Sequence, residues 1–270
     1  MTIFTDLLNL FANWPPAFIA LLCGVTCGIL GPFFVWRNLS FLGDALSHSS
    51  LTPLALATLI GVTPVAFLLP FNLLMALTLS FLAIRRPLNL DSYISIMFAG
   101  FLGLGLLISH FAGANGESLL EILFGNILET NSFNSFLTFS VTIAVIGHLI
   151  FWRHDLYLLL LNRDLAAVEG VRVQWHEILL MILLAIVVTI GIKLMGTVLL
   201  TSLIVTPTVV ARVFAKNLRS LLILASFLGA IFAVVGVGLA QKYSLPASGT
   251  VATFCLFSFL VSLRFKPQIN

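Results

Sequence analysis

Runs of about twenty apolar residues recur along almost the whole chain, and few architectures can accommodate them. They fall at 16–36, 39–60, 64–84, 91–112, 134–152, 176–195, 197–212, 220–240 and 247–264, separated by charges, prolines and glycines. A bilayer core about 30 Å thick takes about twenty helical residues, so such runs have the length of membrane spans. The chain is 60% hydrophobic and 9% charged, where soluble domains carry about 25% charged residues. The expected fold is therefore all-α and polytopic, with about nine transmembrane helices. The weakest run, 197–212, is short, rich in threonine and contains Pro207; without it the count is eight. No stretch remains for a separate soluble domain, so residues 1–270 read as a single transmembrane domain. No basic residue precedes Arg37, so a cleavable secretory signal is not expected. The three cysteines lie in apolar runs and offer no disulfide framework.

Charge then orients the chain. Lys and Arg collect in cytoplasmic loops. If the first run enters from outside, the inner loops hold Arg37, Arg85, Arg86, Arg153, Arg163, Arg172, Arg212, Lys216, Arg219, Arg264 and Lys266. Of the thirteen basic residues only Lys193 and Lys242 are left outside. The expectation is an outer N-terminus and a cytoplasmic C-terminus.

One run carries groups that apolar packing does not need. Phe41-Leu42-Gly43-Asp44-Ala45-Leu46-Ser47-His48-Ser49-Ser50 sits inside the second run, yet holds a carboxylate and an imidazole. Four residues apart, Asp44 and His48 share one face of a helix, one turn apart. An ionised Asp at the centre of a membrane helix costs about 2.5–3.5 kcal/mol on insertion scales, so it faces a partner or a cavity. Carboxylate oxygen and imidazole nitrogen both ligate zinc, manganese and iron. An Asp–His pair buried between helices explains the same residues equally well.

Two connections exceed simple turns. The outer one, Gly113 to Asn134, contains Glu117, Glu121 and Glu129 and no basic residue. Within it, Glu117-Ser118-Leu119-Leu120-Glu121-Ile122-Leu123-Phe124 reads as an amphipathic helix ending near Gly125. It is either an interfacial helix or an acidic lid that draws cations to an outer mouth. The inner connection, His154 to Trp175, contains Asn162-Arg163-Asp164-Leu165-Ala166-Ala167-Val168-Glu169-Gly170. Asn162 or Asp164 can cap a short helix, and Gly170 suits its left-handed stop. Such a helix is shaped to dock in a groove of another protein; an ordinary connector fits the residues as well.

Taken together, these stretches resemble the permease subunit of the bacterial ABC-type manganese/zinc/iron importers over nearly the whole length. Gly43-Asp44-Ala45-Leu46-Ser47-His48 is similar to that family's Gly-Asp-(Ala/Thr)-(Leu/Ile)-(Ser/Ala)-His signature. Leu123-Phe124-Gly125-Asn126-Ile127-Leu128 resembles its Leu-Phe-Gly-(Ser/Asn)-(Ile/Leu)-Leu element. Arg163-Asp164-Leu165-Ala166 through Gly170 looks like its ATPase-docking loop, and Leu199 through Arg212, with Pro207, looks like its late Pro-containing helix. Thr52-Pro53 departs from the small apolar residues that often follow the signature. The resemblance implies a fold related to the cobalamin and siderophore permeases, in a bacterial plasma membrane. It implies two permease copies in a homodimer or pseudo-dimer, a cytoplasmic ABC ATPase dimer and an extracytoplasmic metal-binding protein. Asp44 and His48 would then contact the transported ion. Arg163, Asp164, Leu165, Ala166, Ala167 and Gly170 would couple to the ATPase, and Glu117, Glu121, Phe124 and Gly125 would belong to an outer gate. Zinc, manganese or ferrous iron would be cargo rather than a resident cofactor, the permease itself would be non-catalytic, and nucleic acid would play no part.

The remaining polar groups read mainly as packing. Cys23 and Cys27 are one turn apart among Gly24, Gly28 and Gly31, the small residues typical of membrane helix contacts. His148 and His110 read as interfacial, and Thr197, Thr201 and Thr208 as either a polar path or packing. His176-Glu177-Ile178-Leu179-Leu180 lacks the second histidine of an intramembrane metalloprotease. No Gly-Lys-Ser/Thr phosphate loop occurs, so ATP hydrolysis falls to another subunit. A bulky chelate would leave the Asp44–His48 pair little to coordinate, which favours a bare ion over a chelate permease. Five methionines without a cluster disfavour Cu(I).

Overall fold

The computed structural model describes residues 14–37, 39–62, 64–85, 90–111, 127 and 132–265. The expected outer-gate residues Glu117, Glu121, Phe124 and Gly125 lie outside this set. Twelve helices are described: α1 (Trp14–Val35), α2 (Leu42–Ser49), α3 (Leu51–Ile60), α4 (Pro64–Arg85), α5 (Leu90–Phe111), α6 (Ser132–Phe151), α7 (Arg153–Leu161), α8 (Arg163–Val168), α9 (Val173–Met195), α10 (Thr197–Phe214), α11 (Leu218–Tyr243) and α12 (Ala247–Ser262). No strand occurs among the described residues. By length and composition, six segments can cross a membrane: Pro16–Val35, Leu90–Phe111, Asn134–Phe151, Val173–Met195, Thr197–Phe214 and Leu218–Tyr243. The chain is a multi-pass, all-α membrane protein.

All nine apolar runs are helical, with two amendments. The weak run is an intact 18-residue helix, α10, which continues through Pro207. Pro207 removes one intrahelical donor, but Leu203, Ile204, Pro207 and Thr208 are buried and packing carries the helix past the gap. The second run is not one helix. It is interrupted at Ser50, between α2 and α3. Pro53 has no N–H for the carbonyl of Ser49, and its ring crowds that carbonyl. The inner connection also holds more structure than one short helix, because α7 precedes α8.

The chain divides into two compact units. The first contains α1, α6 as far as Gly147, and α10, α11 and α12. Its seam is α1 against α11. A Cβ on Gly24 would strike the backbone of Gly229, and one on Gly28 the backbone of Ala225, so only glycine allows this approach. Cys23 and Cys27 are buried beside that seam. The hydroxyls of Thr26 and Thr142, 2.9 Å apart, join α1 to α6.

The second unit contains α2 through α5, α7, α8 and α9 as far as Ile190. Here α5 packs beside α2 and α3. Thr52, just past the interruption, donates its hydroxyl proton to the carbonyl of Phe101 on α5. The Thr52-Pro53 step is thus accommodated by α5, and Asp44, His48 and the helix α8 all belong to this unit.

Candidate functional site

In α2, Asp44 and His48 are both half-buried, while the other six residues (Leu42, Gly43, Ala45, Leu46, Ser47 and Ser49) are buried. The two polar groups occupy the one accessible stripe of an otherwise enclosed helix, as their spacing predicts. The ring of His48 meets that of Phe98 on α5 edge-on, with centroids 5.7 Å apart. Phe98 also meets Phe41 edge-on at 5.2 Å. An aromatic bracket on α5 therefore sets the orientation of the imidazole.

A buried polar relay stands behind this stripe. Ser50 donates its hydroxyl to the carbonyl of Leu46 at 2.7 Å and lies 3.1 Å from Oδ1 of Asn72 on α4. Asn72 Nδ2 donates to Oγ1 of Thr189 on α9 at 3.0 Å. Asn72 is fully buried, with both ends of its amide engaged. Sequence reasoning missed it, although a lone amide inside the apolar run 64–84 is the kind of intramembrane polar residue that marks a site.

At the other end of α9 is an ionic clasp. Glu177 accepts from Arg37 Nη2, and from Arg163 through Nε at 2.9 Å and Nη2 at 3.4 Å. Its side chain is 10% exposed. Next to it, His176 Nε2 lies 3.1 Å from Asp155 Oδ2 and its ring stacks edge-on with Trp152 at 5.1 Å. The sequence showed His176-Glu177 only as half of a zinc motif. The clasp brings together Arg37 and Arg163, from two connections that the charge count put on the same side.

The short helix α8 begins as its sequence requires. Asn162 Oδ1 accepts from the N–H groups of Asp164 and Leu165, at 2.8 and 3.2 Å, and Gly170 takes φ +82° beyond its end. Of the expected coupling residues, Arg163, Asp164, Leu165, Ala167 and Gly170 are exposed. Ala166 is not: it is fully buried and packs into its own chain. The accessible apolar groups are Leu161, Leu165 and Val168, the last 85% exposed. Two open clefts flank the helix, about 560 Å³ beside Arg163, Asp164 and Gln174, and about 420 Å³ beside Trp152, Asp155 and Glu169.

Elsewhere the polar residues play structural parts. Thr197 and Thr208 are buried, and a Cβ on Gly31 would collide with the Thr208 hydroxyl. His110 is exposed at the end of α5, and His148 Nε2 is enclosed without a hydrogen-bond partner. No group of three or more metal-ligating side chains that could hold an ion occurs among the described residues. Among the described residues, α2 thus presents one carboxylate and one imidazole on its accessible stripe.

The comparisons with known proteins agree with this architecture. The chain is 30% identical over 249 residues to the manganese import system permease protein ScaB of Streptococcus gordonii, covering 92% of this chain and 89% of that one. It is 29% identical to the high-affinity zinc uptake system membrane protein ZnuB of Buchnera aphidicola, covering 94% and 96%. Its fold is similar to a chain of PsaBC from Streptococcus pneumoniae, solved in complex with Fab, at 26% identity and a TM-score of 0.83 over 98% and 97% of the two chains. A chain of an ABC transporter solved in an inward-facing conformation shares the fold at a TM-score of 0.78 and 18% identity, covering 93% and 85%. Residues 14–266 match the family described as the ABC 3 transport family, and the chain, a membrane permease subunit, belongs to that family.

Proposed function

We propose that this permease imports a divalent transition-metal ion (zinc, manganese or ferrous iron) and that Asp44 and His48 contact the ion in transit. The observation that carries the reading is the accessible stripe of α2, where a carboxylate and an imidazole are the half-buried residues of an otherwise enclosed helix. The relatives named for manganese import and zinc uptake support a bare ion. The ion is cargo, and no resident cofactor is invoked.

In this reading residues 1–270 work as one permease domain in a bacterial plasma membrane, N-terminus outside and C-terminus inside. Two copies pair, a cytoplasmic ATPase dimer docks on α8, and an extracytoplasmic protein delivers the metal. The coupling set Arg163, Asp164, Leu165, Ala166, Ala167 and Gly170 divides into roles. Leu165 faces the partner, Arg163 and Ala166 anchor the helix to its own chain, and Gly170 ends it. The orientation rests on the eleven inner and two outer basic residues. A cysteine at 167 should be labelled from the cytoplasm only and one at 118 from outside only. Labelling of both from one face would end the nine-segment topology.

The decisive experiment is metal uptake by Asp44→Asn, which removes a charge at nearly constant volume. Uptake is expected to fall to background while the ATPase still co-purifies, and His48→Ala should behave alike. Wild-type uptake rates in Asp44→Asn would exclude the pair as the ion's contact.

A further inference from the structure

We propose that α9 mechanically links the ATPase-facing helix to the ion-binding helix, with Glu177 as the positioning residue at its cytoplasmic end. This deepens the reading above and rests on it, since it takes α8 as the docking helix and Asp44–His48 as the ion contact.

Three observations carry the inference. First, Glu177 holds both guanidiniums that matter for such a link. Arg163 opens α8, and Arg37 precedes Asp44 by seven residues on the connection into α2. One largely enclosed carboxylate thus ties the docking helix and the approach to the ion site to a single point on α9. Second, α9 touches the ion helix again further along. Thr189 lies twelve residues beyond Glu177, about 18 Å at ~1.5 Å per residue, and reaches Ser50 through Asn72. Third, the far contact has two acceptors for one proton. The Ser50 hydroxyl has a single hydrogen, and both the Leu46 carbonyl and the Asn72 amide oxygen lie within reach. Leu46 sits between Asp44 and His48 in α2. A displacement of α9 that pulls Asn72 toward or away from Ser50 therefore selects between two arrangements at the end of the ion helix. A discrete choice of this kind transmits coupling better than a continuous deformation.

The chemistry assigns each part a distinct loss. Neutralising Glu177 leaves two guanidiniums facing each other without their counter-charge, so the clasp opens. Replacing Asn72 by Leu keeps the number of side-chain heavy atoms and their branching and removes both hydrogen bonds of the relay. Neither change touches the ion or the ATPase.

The test uses the assembled permease–ATPase complex in liposomes with its binding protein, manganese(II) as the probe ion, and two readouts: uptake, and the ATPase increment caused by the loaded binding protein. Glu177→Gln and Asn72→Leu should assemble and keep metal-independent ATP hydrolysis. Both should lose about five-fold or more of uptake and of the metal-dependent increment, the size of an ordinary coupling energy. Glu177→Asp, which restores the charge, should recover most of it. If Glu177→Gln does not assemble, Arg37→Gln, which keeps the Glu177–Arg163 pair, decides by the same readouts. Wild-type uptake and increment in the assembled Glu177→Gln or Arg37→Gln complex overturn the proposal. A Leu165→Asp complex in the same series separates the two readings. If Leu165→Asp keeps the ATPase bound, the docking assignment of α8 fails. If it releases the ATPase while Glu177→Gln transports normally, only the role of α9 fails.

Discussion

Asp44 and His48 put two costly polar groups one helical turn apart inside an apolar run. Cys23 and Cys27 have the same spacing and a different meaning, and the difference lies in their neighbours. Gly24 and Gly28 meet the backbone of α11, so this face of α1 is a contact between helices. Adding an isopropyl group there, as in Gly28→Val, forces the seam apart, with an expected cost of about 1–3 kcal/mol. The melting temperature of the detergent-solubilised permease should drop accordingly. Cys27→Ala, by contrast, should leave metal uptake within about two-fold of wild type, because a buried free thiol commonly behaves as a small apolar group. Loss of uptake in Cys27→Ala with normal protein levels would instead make the thiol a ligand.

Helices α2 and α8 separate what sequence can tell from what it cannot. The cap and stop of α8 depend on neighbouring residues in the chain and were readable, since Asn162 caps it and Gly170 follows its end, whereas the interruption of the second run at Ser50, ahead of Pro53, was not expected. Which face of α8 is free depends on contacts distant in sequence. Ala166 turns inward, and Leu165 and Val168 turn out. Asn72–Thr189 and Arg37–Glu177 span 117 and 140 residues, so no local pattern announces them. The outward face makes a specific prediction. Leu165→Asp or Val168→Asp should prevent ATPase co-purification while the permease still folds, since both side chains are accessible. Ala166→Arg should instead lower the yield of folded permease, because a guanidinium has no room at a fully buried position. Pull-down against a tagged ATPase, with size-exclusion profiles of the permease, distinguishes the two losses. Asn162→Ala should behave as a mild form, costing about 1 kcal/mol of helix stability through the missing cap.

The whole permease raises a question of stoichiometry that one chain cannot answer alone. An isolated copy presents one carboxylate and one imidazole, whereas tightly held zinc takes about four ligands. Homo-oligomers mostly close by two-fold symmetry. If α2 lines such an axis, the two half-buried stripes face each other, and two Asp with two His surround one divalent ion. Two carboxylate charges then balance the ion, which lowers the cost of holding it in a low dielectric. The same pairing covers polar groups that would otherwise remain accessible within a membrane chain. A shared site and two private sites differ in how a defective copy acts. Co-expression of wild-type and Asp44→Asn chains at equal levels gives about one quarter wild-type pairs if chains pair at random about a two-fold axis. If the ion needs both Asp44 carboxylates, uptake should fall to about a quarter of the wild-type value, with mixed pairs silent. If each chain conducts through its own pair, half should remain, and the shared site is excluded. Separately tagged copies allow the mixed pairs to be isolated and reconstituted, so that their transport is measured directly rather than inferred from the population.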